Sequence, residues 1–277
     1  MGESILYFDC YAGISGDLTL GAFVDLGVPL AYIQSRLDLL GISDEFRLTA
    51  EPKSVRGICG TQVHVALTGL HHHTLQSGCG HTSVQNGEAH DHGTEGGHVH
   101  GRSLADILAL IDDSGLNASE KTMASGIFTE IGKAESRVHA VPLQKVQFHE
   151  VGAVDSIVDV VGAAVCVAFL RPDRISCSPV HDGTGLIECA HGTIPVPVPA
   201  VVELLKNSGL VIVSDEVSTE MVTPTGAGIL KGLGAVCGHL PMMQLNKSGT
   251  GYGTRDTGNA AGMRLLFGES RADLLDK

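Results

Sequence analysis

The chain has no tryptophan, and aromatic residues make up only 4% of its 277 positions. A core must therefore come from aliphatic side chains and close backbone approach, which 36 glycines permit. Basic residues are outnumbered, 18 Lys and Arg against 31 Asp and Glu, for a formal charge of −13. That balance argues against nucleic acid or an anionic membrane as the main partner, and it suits cations. No apolar run approaches the roughly 18 residues that a membrane span needs. The amino terminus, MGESILYFDCYAG, has no basic segment ahead of an apolar core, so no signal peptide is expected. Leu6 also breaks the myristoylation pattern that Gly2 would open. The seven cysteines are odd in number, widely spaced and free of any CxxC. A disulfide framework or zinc ribbon does not fit, and a cytoplasmic location is expected. No GxxxxGK[ST], GxGxxG or HExxH motif occurs, so phosphate-loop, dinucleotide and zincin chemistries lack their signatures.

What is present is an alternation of strand-like and helix-like segments. Strands are expected at SILYFDC (4–10), FRLTAEP, ICGTQVHVALTG, RISCSPV, GLIECA and MRLLFGE. Helices are expected at 17–27, 29–41, 102–116, 117–140 and about 153–170, with shorter ones at PVPVPAVVELLKNSG and TPTGAGILKGLG. The pattern predicts an α/β or α+β fold with a mixed sheet and packed helices. Residues 1–70 read as an amino-terminal α/β segment and 102–277 as the remainder of the same domain. Between them, 71–101 is almost devoid of apolar residues and carries eight of the 14 histidines. It is expected to be a mobile loop, suited to metal binding, or a tolerated low-complexity insertion.

Four constellations could carry chemistry. In FDCYAGISGDLTLGA, Asp9 ends a strand, Ser15 and Gly16 lie in a glycine-containing loop, and Asp17 opens a helix. Strand ends before helices are common ligand crevices, although Asp17 would also stabilise its own helix. In FHEVGAVDSIVDVVGAA, His149 and Glu150 precede a helix that carries Asp155 and, one turn later, Asp159. Imidazole with carboxylates suits Ni²⁺, Zn²⁺ or Fe²⁺, and carboxylates alone suit Mg²⁺ or Mn²⁺. Cys189 and His191 would share one face of an extended segment, as a soft ligand set or a nucleophile and base, or as a buried thiol and a turn residue. Glu220, Thr223 and Thr225 precede or open a helix, while Lys247 and Arg255 read as cations in a glycine-rich loop suited to an anion or as part of a tight hairpin.

The blocks ILYFDCYAGISGDLTLGA, VQFHEVGAVDSIVDVVGAA, SPVHDGTGLIECAHGTIPVPVPA, TPTGAGIL and GTGYGTRD, with the His-rich segment, occur in one order between residue 5 and about residue 256. In that order the chain resembles the nickel insertion proteins that complete the nickel-pincer cofactor of lactate racemase. The resemblance implies a cyclometallase that places Ni²⁺ into pyridinium-3,5-bisthiocarboxylic acid mononucleotide, with CTP and Mg²⁺ or Mn²⁺. Catalytic roles are expected among Asp9, Asp17, His149, Glu150, Cys189 and His191. Metal binding is expected at Asp9, Asp17, His149 and Asp155, and at His71, His72, His73, His90, His92, His98 and His100. Cofactor contacts are expected from Ser15, Gly16, Thr223, Thr225, Lys247 and Arg255. The family's carboxy-terminal, nucleotide-associated domain is not seen, so a separate chain carrying it is an expected partner, as is lactate racemase or another recipient of the cofactor. A homo-oligomer is expected on base rates. The competing readings are a nickel chaperone or reservoir and a Mg²⁺-dependent phosphohydrolase built on Asp9, Asp17 and Asp155.

Overall fold

The computed structural model describes residues 2–68, 102–148, 153–189, 191–255 and 262–271. The expected mobile loop at 71–101 with all its histidines lies outside the described residues, as do His149 and Glu150.

Among the described residues a seven-stranded mixed sheet carries the fold, in the order β2 (Phe46–Val55), β3 (Ile58–Leu67), β10 (Met243–Tyr252), β11 (Met263–Ser270), β1 (Ser4–Asp9), β4 (Arg174–Cys177) and β9 (Val236–Cys237). β1 and β4 run parallel, as do β3 with β10 and β4 with β9, and the other pairs are antiparallel. The sheet therefore joins strands from both sides of the His-rich segment. Two small sheets flank it, β5 (Val180–Asp182) parallel to β8 (Ile212–Ser214), and a hairpin of β6 (Leu186–Cys189) and β7 (Gly192–Pro195).

Seven α-helices are described: α1 (Gly16–Asp25), α2 (Leu30–Leu37), α3 (Leu104–Asp113), α4 (Ala118–Val138), α5 (Val154–Leu170), α6 (Pro199–Leu205) and α7 (Pro224–Gly232). Capping explains several of their starts. Ser103 with Asp106, and Asn117 with Glu120, form reciprocal capping boxes that satisfy amide groups with no partner inside α3 and α4. α5 is buried nearly all round and packs against α1, α2 and α4. Phe8, Phe23, Phe128 and Phe148 are the largest fully buried side chains of a core that is mainly aliphatic.

The structure corrects the loop reading of 246–256, because Asn246–Tyr252 belongs to strand β10. Two of its glycines serve helix packing. A Cβ on Gly251 would sit 1.8 Å from the Leu18 carbonyl oxygen of α1, and one on Gly249 2.3 Å from the Leu26 amide nitrogen. Glycine at both positions lets α1 lie directly on the strand. This seam fixes where the first turn of α1 points.

Candidate functional site

The loop of residues 10–15 leaves β1 and enters α1. Its far end is held by the 221–223 segment: the Ile14 amide donates to the Met221 carbonyl at 2.9 Å, and the Thr223 amide to the Ile14 carbonyl at 3.0 Å. Ser15 caps α1, its Oγ accepting from the Leu18 amide at 3.4 Å and donating to Asp17 Oδ1. Asp17 Oδ1 also accepts from the Leu18 amide at 2.9 Å. Both residues thus stabilise the helix start. Asp17 Oδ2 is turned the other way, 2.9 Å from where a Cβ on Gly253 would lie.

The first turn of α5 meets the first turn of α1 at this point. A Cβ on Gly16 would fall 2.2 Å from Asp159 Oδ2, so glycine is required for that carboxylate to rest on the helix start. Asp159 is partly exposed as a residue, but its Oδ1 is buried and has no hydrogen-bond partner among the described residues. Burial pushes its carboxyl well above the usual range, and the charges of Asp17 and Asp155 push it further. Asp155 is solvent-exposed, yet the surrounding protein still raises its carboxyl. A hydrogen bond from the Ser156 amide at 2.8 Å works against that rise, and the Asp17 charge reinforces it. The helix N-termini attract these anions, but no cationic side chain bonds to Asp17, Asp155 or Asp159 among the described residues. Three carboxylates that repel one another through protein are a place where a cation relieves strain. Among the described residues, however, no three His, Cys, Asp or Glu side chains already stand close enough to form a metal site.

Asp9 behaves differently. It is buried at the end of β1, and β11 places Arg264 opposite it. Arg264 Nε donates to Asp9 Oδ2 at 2.9 Å and Nη2 donates to the same oxygen, while Oδ1 has no partner among the described residues. Asp9 is therefore an ion-paired carboxylate, set apart from the coupled trio.

The remaining sequence candidates are dispersed. Thr223 caps α7, its Oγ1 accepting from the Gly226 amide at 3.1 Å, and Thr225 is buried in the first turn behind it. Arg255 Nη1 lies 3.0 Å from Glu220 Oε2. Lys247 sits within β10 near Gly27, past the carboxyl end of α1. Lys247 and Gly253 are six residues apart, about 20 Å along an extended chain, which sets Lys247 apart from the loop that carries Arg255. For Cys189 and His191 the turn reading of the histidine holds and the shared strand face does not. Cys189 ends β6 opposite Gly192, which leaves His191 in the hairpin turn instead of on a shared strand face. The Cys189 thiol donates to the Gly192 carbonyl at 3.4 Å, and the His191 ring stacks on His139 with centroids 5.1 Å apart.

Sequence reasoning passed over a second cluster on the same loop. Asp182 is fully buried, and its Oδ1 accepts from the amides of Gly183 (2.8 Å), Met221 (2.8 Å) and Val222 (3.0 Å), tying β5 to the segment that holds Ile14. His181 Nδ1 lies 3.0 and 3.1 Å from the two oxygens of Asp215, and the Tyr11 ring stacks on its imidazole at 4.5 Å. These partners are 34 residues apart in one case and 170 in the other, beyond the reach of any spacing argument. The only local signal was a lone His-Asp-Gly after a strand.

The family model described as nickel insertion protein matches residues 6–276. A protein of Acetivibrio thermocellus called pyridinium-3,5-bisthiocarboxylic acid mononucleotide nickel insertion protein is 43% identical over 96% of this chain and 61% of its own length. Proteins of the same name from Clostridium kluyveri and Desulfitobacterium hafniense are 41% and 39% identical, over 96% and 95% of this chain. The chain spans about three fifths of the length of these relatives, 61%, 62% and 58% in turn. No solved structure matches it. No helix among the described residues is long and apolar enough to cross a membrane.

Proposed function

The chain belongs to the nickel insertion protein family, and from that premise we propose that it takes part in placing Ni²⁺ into pyridinium-3,5-bisthiocarboxylic acid mononucleotide. The observation that carries the reading within the molecule is the trio Asp17, Asp155 and Asp159, a set of coupled carboxylates with a buried, unpartnered Oδ1 and no cationic partner. Nickel is here a substrate in transit. Oxygen donors hold Ni²⁺ less tightly than a thiolate cage, which suits an ion that must leave for the pincer. His149 and Glu150, just ahead of α5, would add an imidazole and a fourth carboxylate from outside the described residues.

The same oxygen donors fit Mg²⁺ or Mn²⁺. Bound there, such an ion would neutralise the trio and offer positive charge to the phosphate of the mononucleotide. A triphosphate fits less well. Lys247 is at the other end of α1, Arg255 is engaged by Glu220, and the starts of α1 and α5 carry acids. Delivery of the product to lactate racemase or another pincer enzyme follows from the reading as its last stage.

The test is reconstitution. The chain, Ni²⁺, Mg²⁺, CTP and the bisthiocarboxylate mononucleotide are combined with and without the remaining part of a relative, and the nickel adduct is followed by mass spectrometry. Adduct in either mixture supports the proposal, and Asp159→Asn is expected to lower its rate at least tenfold. Absence of adduct in both removes it.

A further inference from the structure

We infer that His181, held by Asp215 and Tyr11, is the base of the reaction, its Nε2 accepting the proton of the pyridinium ring; this rests on the nickel-insertion reading above.

The placement comes from the sheet. β1 and β4 are adjacent and parallel, and ligands of α/β folds bind in the crevice beyond the carboxyl ends of such strands. Tyr11 follows β1, and His181 lies just beyond β4, on β5. Two backbone contacts lock these segments together: the Cys10 amide donates to Ser178 Oγ at 2.9 Å, and the His181 amide to the Cys10 carbonyl at 3.2 Å. Asp215 is anchored as firmly, its amide donating to the Asp182 carbonyl at 2.8 Å. The imidazole and its carboxylate are thus mounted on hydrogen-bonded strands and loops, not on free side chains.

The chemistry follows from which nitrogen is engaged. A carboxylate accepts at Nδ1, which places the neutral ring's proton there and leaves the lone pair on Nε2. Nε2 makes no hydrogen bond to any described residue, and the side chain is 14% exposed. The Tyr11 ring lies over the imidazole, tilted 37° with centroids 4.5 Å apart, and so holds His181 in place. The imidazolium that forms on proton transfer is a cation, and the electron-rich face of a tyrosine attracts one. In the reaction the ring carbon between the two thiocarboxylates loses its hydrogen. The C–H pair becomes the nickel–carbon bond, the two sulfurs bind the metal, and the proton passes to His181 Nε2. Nickel stays divalent, so no oxidant or reductant is consumed. Asp215 stabilises the imidazolium that results.

The test uses the full chain in the reconstitution mixture, with urea midpoints confirming that each variant is folded. His181→Gln is expected to lower kcat at least a hundredfold with KM within threefold. Asp215→Asn should lower kcat about tenfold. Tyr11→Ala should lower kcat about tenfold with KM near the parent, and Tyr11→Phe should stay near the parent. Added imidazole should restore part of the activity of His181→Ala, which a merely structural histidine would not allow. His181→Gln turning over within threefold of the parent overturns the inference while leaving nickel insertion standing. If the parent forms no adduct in any mixture, the functional reading falls, and exchange of the ring hydrogen between the thiocarboxylates with deuterated water decides the base. Exchange slowed tenfold by His181→Gln supports it, and unchanged or absent exchange overturns it.

Discussion

Glu120 of α4 and Asp159 of α5 are both carboxylates set into helices that pack in the core, and their surroundings are opposite. Glu120 is 0% exposed, takes a forked ion pair from Arg36 and accepts the Asn117 amide at 2.8 Å. Every oxygen is answered. Asp159 has Asp17 and Asp155 for charged neighbours, and its buried Oδ1 is unanswered among the described residues. Asp9 with Arg264 and Asp182 with its three amides resemble Glu120, each having at least one oxygen strongly bonded. The fold can compensate buried acids and does so elsewhere. One trio, where α5 meets the start of α1, is left without such compensation among the described residues.

The comparison breaks most visibly on its compensated side. Arg36→Ala leaves Glu120 buried and unpaired, and should cost about 3–5 kcal/mol in urea unfolding. On the other side the sign reverses: Asp159→Asn in chelator-treated protein at neutral pH should gain on the order of 1 kcal/mol, because it removes a charge that the site repels. A loss of that size would place Asp159 with Glu120 and end the contrast.

The pH dependence sharpens the same point. A carboxyl raised above its ordinary value of 3.8 keeps its proton in the folded chain after the unfolded chain has lost it. The folded state then binds more protons, so this residue's contribution to stability is fullest below 3.8 and falls as pH rises toward the elevated folded value. Metal-free parent protein should show that decline relative to Asp159→Asn, measured by urea midpoints across the acid range. Least of all, Lys247→Ala should change stability by no more than about 0.5 kcal/mol and leave insertion unchanged, since Lys247 lies at the wrong end of α1.

The sequence made most helices and the outer strands legible because caps and periodicity are local. Ser103, Asn117 and the apolar run of α5 announce their elements without help from the rest of the chain. β10 was hidden by its own glycines, which read as loop residues until α1 is seen resting on them. The same limit governs the site. Asp17, Asp155 and Asp159 stood out as acids beside apolar segments, but Arg264 as the partner that removes Asp9 from the trio was invisible, being 255 residues away. The stacking of Tyr11 on His181, and the bond of His181 to Asp215, were equally out of reach. Charge compensation is a property of three-dimensional neighbours, and only the helix-start acids had neighbours close enough in sequence to be suspected.

The most direct test of the uncompensated trio is thermal unfolding of chelator-treated protein titrated with Mg²⁺, an ion that imidazoles bind poorly. The parent should gain stability with rising Mg²⁺, approaching about 2.7 kcal/mol at a hundred times the dissociation constant. Asp159→Asn, already relieved of its charge, should gain little. An equal gain in both proteins would mean that the cation binds elsewhere and that the trio is not its site.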